Sequence, residues 1–238
     1  MDNKHNLNLL NFIRKTPHYY KVLYYKLRYD ANFDTIDVVW TEKGITMRKY
    51  EEKNYLFENI KDKIYPWVKE TLVDHAALNG KFISANDTPI VSFVGDLMVI
   101  FVINRGNDKY EIVKDNMLPP ETDIAELYQI ACQNLVRDVE FVISNTMFGG
   151  FGILADGIHE ASSLCFKHIW SVCVDKIGED IVIMVPSKDM VLFVAASNKK
   201  AIEDMRNYGN QAYERNKDKV SQKLLLFKKE EKELVIYE

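Results

Sequence analysis

The chain has 238 residues, 47% of them apolar and 28% charged, with a formal net charge of −4. A chain of this kind can bury a core that needs neither disulfide nor metal, as one large domain or two small ones. The acidic balance argues against broad phosphate-backbone binding, which needs a concentrated basic surface, and no apolar run approaches the roughly 18 residues of a membrane span.

Leu7 to Arg28 carries mostly helical apolar spacing, divided near Pro17 because proline removes a backbone donor. Phe33 to Trp40 alternates as a strand. Glu42-Lys43-Gly44 reads as a turn, and Ile45 to Lys49 as the returning strand. Asn54 to Leu78 shows helical spacing again (Leu56, Ile60, Ile64, Trp67, Leu72, Ala76), closed by Asn79-Gly80. Pro89 to Val94, Leu97 to Ile103 and Lys109 to Val113 form a predicted antiparallel meander, with turns at Gly95-Asp96 and Arg105 to Asp108.

Pro119-Pro120 is a stiff connector, followed by a predicted helix over 122–136 with Thr122 as N-cap. Leu127, Ile130, Ala131 and Leu135 lie on its apolar side. Val139 to Ser144 and Phe151 to Ala155 read as short strands around Gly149-Gly150. Residues 156–193 are the most informative stretch. They read as a turn at Asp156-Gly157, a helix from Ala161 to Val174, and two strands on either side of Ser187 to Asp189. Asn198 can cap a helix through about Asn216, with Ile202, Met205 and Tyr208 inward. Leu224 to Phe227 and Leu234 to Tyr237 pair as a last hairpin.

Several hairpins with helices between strand groups predict an α+β fold: mixed, largely antiparallel sheets packed by helices on one face. Pro119-Pro120 is the candidate boundary between an N-terminal subdomain, 1–118, and a C-terminal one, 121–238, with a shared core as the alternative. Met1 to His5 lacks the apolar core of a signal peptide. Cys132, Cys165 and Cys173 are odd in number and lie in helix-like patterns, which fits buried reduced thiols and a cytoplasmic protein.

Two stretches carry a family resemblance. The first, Val99 to Leu135, holds Asp108-Lys109-Tyr110, Ile112 and Ala131-Cys132-Gln133-Asn134-Leu135. The second holds Asp156 to Ser162 and Gly178-Glu179-Asp180, then Ile181 to Val185, Pro186, and on to Asp189. Together they resemble the YtpQ-like family of uncharacterised bacterial intracellular proteins, over roughly residues 95–238. His159 stands where that family's pattern has a tyrosine, and Glu179 intrudes between Gly178 and Asp180. The resemblance implies an intracellular α+β protein. It implies no established activity and supplies no catalytic residues.

Cys165 and His168 stand three apart on the predicted helix, close enough to pair as nucleophile and base. Cysteine nucleophiles favour helix N-termini, however, and the apolar neighbours Leu164, Phe166 and Ile169 point to packing. His159, Cys165, His168 and Cys173 match no zinc spacing, so neither metal nor cofactor is expected. Phe148-Gly149-Gly150-Phe151-Gly152 matches no phosphate-binding fingerprint and reads as a hairpin connection. Asp156 and Glu160 suit a helix start, where acids favour the dipole.

Tyr19, Tyr20 and Tyr24, interleaved with Lys21, Lys26 and Arg28, read first as packing, then as a protein contact, and last as a nucleic-acid surface. The leading expectation is a non-catalytic protein-binding module of accessory or toxin-neutralising immunity type. Its expected contacts are Tyr19, Tyr20 and Tyr24 and the loop Phe148, Gly149, Gly150 and Phe151. The rival is a hydrolase using Cys165 and His168; a nucleic-acid-binding protein stands third.

Overall fold

A computed structural model describes residues 57–70, 87–107 and 109–237, together with the backbone of the strands 26–27, 36–41, 44–49, 77–78 and 81–82. The chain divides into two compact units, Met1–Asn54 and Tyr55–Glu238. In the first, β1 (Lys26–Leu27), β2 (Ile36–Thr41) and β3 (Gly44–Lys49) form an antiparallel sheet in that order. Trp40 faces Ile45 and Thr41 faces Gly44 across the hairpin. The predicted helix over 7–28 lies outside the described residues except at its end, where Lys26–Leu27 is strand.

The second unit opens with a one-turn helix α1 (Phe57–Ile60), a 3₁₀ turn (Lys61–Lys63) and β4 (Ile64–Glu70). This corrects the helix expected over 54–78. Pro66 is poorly suited to a helix interior, and Ile64-Tyr65-Pro66-Trp67-Val68 is rich in strand-forming side chains. All five are buried, so the two-residue alternation of a strand does not show as polarity. Pairing with β8 (Leu97–Asn104) along seven residues, Ile64↔Ile103 to Glu70↔Leu97, settles the conformation. Among the described residues β4 pairs only with β8, an edge position where proline is tolerated. Likewise Asn79-Gly80 does not end a helix: β5 (Ala77–Leu78) and β6 (Lys81–Phe82) pair across it.

The meander is present as β7 (Ile90–Ser92), β8 and β9 (Tyr110–Ile112), all antiparallel. β4 holds one edge of β8, while β7 and β9 follow one another along the other. The helix α2 (Ile124–Asp138) is capped by Asp123, whose side chain accepts from Ala125 N at 2.8 Å. Thr122, the expected cap, instead donates to Pro119 O. Asn134, buried in α2, donates to Lys61 O at 2.7 Å and Ile64 O at 3.0 Å, tying the helix to the start of β4.

Six antiparallel strands form the larger sheet, in the order β10 (Val142–Asn145), β11 (Phe151–Leu154), β13 (Met190–Ala195), β12 (Ile181–Ser187), β14 (Leu224–Lys228) and β15 (Glu233–Ile236). The helix expected from Ala161 comes in two pieces, a 3₁₀ stretch (Glu160–Cys165) and α3 (Lys167–Ile177) ended by Gly178 at φ +93°. α4 (Lys199–Arg215) is capped by Asn198, as its sequence predicts.

The fold class is α+β with open antiparallel sheets. One face of the six-stranded sheet buries Val182, Met184, Leu192 and Val194 under Ala201, Ile202 and Met205 of α4. The opposite face packs Ile183, Val185, Phe193 and Phe227 with Trp170 and Val174 of α3, and with Val68 and Val99 of the smaller sheet. Tyr208, expected inward, is 49% exposed; Gly209 is the buried residue there, and its missing side chain makes room for Met184. Pro119-Pro120 falls inside the second unit, so the compact units do not divide there. Residues from both sides of it, such as Phe101 and Leu127, fill one cluster.

Candidate functional site

The β10–β11 hairpin ends the larger sheet. Its register places Val142 opposite Leu154 and Ser144 opposite Gly152. Side chains alternate across a strand, so Val142 and Leu154 share one face, the one α4 covers further along the sheet. Neither is covered: they are 47% and 54% exposed. Ile143, on the other face, is 41% exposed, and Met147 at the tip is fully exposed. β10 thus presents apolar side chains on both faces together with a strand edge that is unpaired among the described residues.

The loop that closes the hairpin is built by its residues in distinct ways. Thr146 N donates to Gly150 O at 2.9 Å, and Gly150 N donates back to Thr146 Oγ1 at 3.1 Å. Gly149 takes φ +77° with open space around it, a conformation that disfavours other L-residues. Gly150 is buried, and a Cβ there would stand 2.8 Å from Phe193 O. Phe151 stacks on Phe193, with centroids 5.2 Å apart, and belongs to the core. Phe148, half-buried, leans on the exposed Tyr208 at 6.2 Å. Of the four loop residues named from sequence, Phe148 and Gly149 reach the surface, while Gly150 and Phe151 hold the hairpin to its sheet. Sequence reasoning did not single out Val142, Ile143, Met147 and Leu154. The only signal they gave was an apolar alternation flanking a glycine turn.

Tyr19, Tyr20 and Tyr24 lie outside the described residues. Among the described residues no hydrogen bond joins Cys165 to His168. Cys165 ends the 3₁₀ stretch and meets Cys132 of α2, while His168 is exposed on α3 beside Phe166. The Cys165 thiol is pushed well up by its hydrogen bond to Cys132 and by burial, which is the wrong direction for a nucleophile. The Cys132 thiol is drawn down, chiefly by the hydrogen bond from Cys165 and against its own burial. Among the described residues no group of three or more His, Cys, Asp or Glu side chains could hold a metal ion.

Of the two histidines among the described residues, His159 is the buried one. It is 1% exposed and lies among the rings of Tyr65, Trp67 and Tyr110, at centroid distances of 5.4, 6.3 and 5.5 Å. Its Nδ1 lies 2.7 Å from Asp156 Oδ2, and the same carboxylate accepts from Ile158 N and His159 N. Burial opposes the charge on Asp156, but these hydrogen bonds prevail and hold its carboxyl below the usual range. Glu160 Oε1 accepts from Ala155 N and Gly157 N. The two acids therefore brace the turn over 155–159 through its backbone N–H groups, and no side chain caps the 3₁₀ stretch that follows, so the helix-start role read from sequence is not the one they fill. A carboxylate and the histidine it orients are two of the three members of a triad, but among the described residues no side chain is hydrogen-bonded to the buried His159 Nε2, and the nearby Ser162 donates to Pro66 O. The arrangement fastens residues 156–166 onto β4. Among the described residues no helix is long and apolar enough to cross a membrane.

No protein-family model, no curated protein and no solved structure matches this chain.

Proposed function

We propose that this chain is a non-catalytic protein-binding module of the cytoplasm, taking an extended segment of a partner protein along β10. The observation that carries the reading is the exposed apolar edge: Val142, Ile143, Met147 and Leu154 lie on or beside a strand that, among the described residues, has no neighbour on its outer side. An unpaired edge offers backbone donors and acceptors to an added strand, and the flanking side chains supply specificity. Isolated exposed apolar residues are common, but four on one hairpin are the composition of a contact surface. The three thiols, which stand unbridged, support the cytoplasmic setting. The resemblance to the YtpQ-like family fits the same reading and is proposed with it.

Selection of random peptides displayed on phage against the purified chain tests this. Extended peptides rich in β-branched residues are expected, binding the wild type and losing affinity at least tenfold for V142K/L154K. Hydrogen exchange should slow in β10 when a selected peptide binds. Peptides that bind the double variant as well as the wild type, or that protect amides elsewhere, overturn the proposal.

A further inference from the structure

Cys132 lies on α2, ahead of the β10–β11 hairpin, and Cys165 ends the 3₁₀ stretch that follows the hairpin. The fold brings them together beside Tyr128. Tyr128 and Cys132 stand four apart on α2, so their side chains share one face of the helix. Tyr128 Oη lies 3.5 Å from Cys165 O, and the two thiols are hydrogen-bonded to each other. Cys165 and Tyr128 pack at the rim of one core cluster and Cys132 at the rim of its neighbour, with Phe141 and Ile169 against both. Both of these cysteines are half-buried, whereas Cys173 is 2% exposed.

The two sulfurs are not equivalent. The hydrogen bond from Cys165 draws the Cys132 thiol down against its burial, and Tyr128 adds to the effect. The same bond, with burial, pushes Cys165 up. Burial also pushes the Tyr128 hydroxyl up, and the neighbouring cysteines push it further, so it stays protonated and able to donate. One sulfur is thus disposed to form the thiolate, and its neighbour keeps a proton. That asymmetry, at half-buried positions, is the arrangement of an oxidisable thiol next to a resolving one.

From this juxtaposition we infer that Cys132 and Cys165 are a hydroperoxide-reactive pair, in which Cys132 attacks the peroxide and Cys165 resolves the product into an intramolecular disulfide. In the first step the Cys132 sulfur bonds to one peroxide oxygen and the O–O bond breaks. The leaving alkoxide (hydroxide from hydrogen peroxide) takes up the thiol proton, and Cys132 becomes a sulfenic acid, oxidised by two electrons. In the second step the Cys165 sulfur bonds to the Cys132 sulfur and the S–O bond breaks. The departing hydroxide takes the Cys165 proton and leaves as water. Two thiols and one hydroperoxide give one disulfide, one alcohol and one water. Adjacent sulfurs make the second step intramolecular, which favours it over further oxidation. The bond would tie α2 to the 3₁₀ stretch and enclose the β10–β11 hairpin in a covalent loop, which restricts the unfolded chain. A transient disulfide of this kind is compatible with a reducing compartment. The pair is independent of the partner strand proposed for β10.

Reduced protein treated near neutral pH with a small excess of hydrogen peroxide, then mapped by mass spectrometry of unreduced peptides, tests the inference. Two of the three thiols should be lost, with Cys132 and Cys165 joined in one chain and Cys173 free. Dithiothreitol should restore both, and the oxidised form should unfold at higher urea. Cys165→Ser should stop at a Cys132 sulfenic acid that dimedone traps. Cys132→Ser should consume peroxide about tenfold more slowly or less, since it lacks the thiolate-forming sulfur. Survival of all three thiols, a bond to Cys173 or between two chains, or oxidation of Cys132 past sulfenic acid with Cys165 still free would each overturn it. The wild-type map decides the matter even where a serine variant fails to fold.

Discussion

Replacing Gly150 with alanine separates two reasons for a glycine within one loop. The added Cβ would stand 2.8 Å from Phe193 O and closer still to Val194 Cγ1. Ordinary carbon contacts are about 3.5–4.0 Å, so the overlap with the oxygen is roughly 0.7 Å or more. Phe193 cannot give way cheaply, because its residue is paired on both sides, with Phe151 in β11 and Ile183 in β12. Val194 is fully buried under α4. Overpacking of this kind costs about 1–3 kcal/mol, and a backbone wall belongs at the upper end. Alanine returns about 0.4–1 kcal/mol by restricting the unfolded chain, which leaves a net loss of about 2 kcal/mol.

Gly149 meets nothing within 4 Å and is limited only by φ +77°. Gly149→Ala should therefore cost about 1 kcal/mol or less, after the same unfolded-state gain. Gly149→Asn should be close to neutral, since asparagine tolerates positive φ. Urea unfolding followed by tryptophan fluorescence measures all three. A G150A variant within 0.5 kcal/mol of the wild type, or a G149A variant less stable than G150A, refutes the packing argument.

Asn134→Leu should lose about 2–3 kcal/mol in the same assay, because Lys61 O and Ile64 O would be left without its amide. Gln133→Leu, exposed on the same helix, should change little, and a loss below 1 kcal/mol for N134L contradicts the tie between α2 and β4. Iodoacetamide near neutral pH should label Cys132 first, because the thiolate is the reactive form and its thiol is drawn down by Cys165. The order should hold as the pH is raised toward 9. Cys173, pushed up to about 11 by burial, and Cys165, pushed up beside Cys132, should react appreciably only after unfolding. Rapid labelling of Cys165 in the folded chain would revive it as a nucleophile.

Local chemistry made much of this fold legible before any coordinates. Asn198 announces α4, because a side-chain oxygen three residues before an N–H is a cap wherever it folds. The apolar runs on either side of Ser187 to Asp189 and of Lys228 to Lys232 become hairpins, since their turns are short and their pairing is between neighbours. β4 escaped because both of its faces are buried, and burial on both faces removes the alternation that marks a strand. Only its partner β8, some 30 residues on, could reveal it.

The same distinction governs the candidate sites. The sequence by itself determined the antiparallel α+β class, the glycine-closed hairpin at 146–151 and the absence of a dense basic stretch, because each depends on residues close together along the chain. Tertiary structure alone decided that His159 sits among rings from β4 and β9, and that Cys165 meets Cys132 instead of His168. It also decided that β10 is left at an edge among the described residues. Those neighbours come from segments far apart in sequence, and their meeting is set by how the sheets and helices pack, which no local pattern encodes.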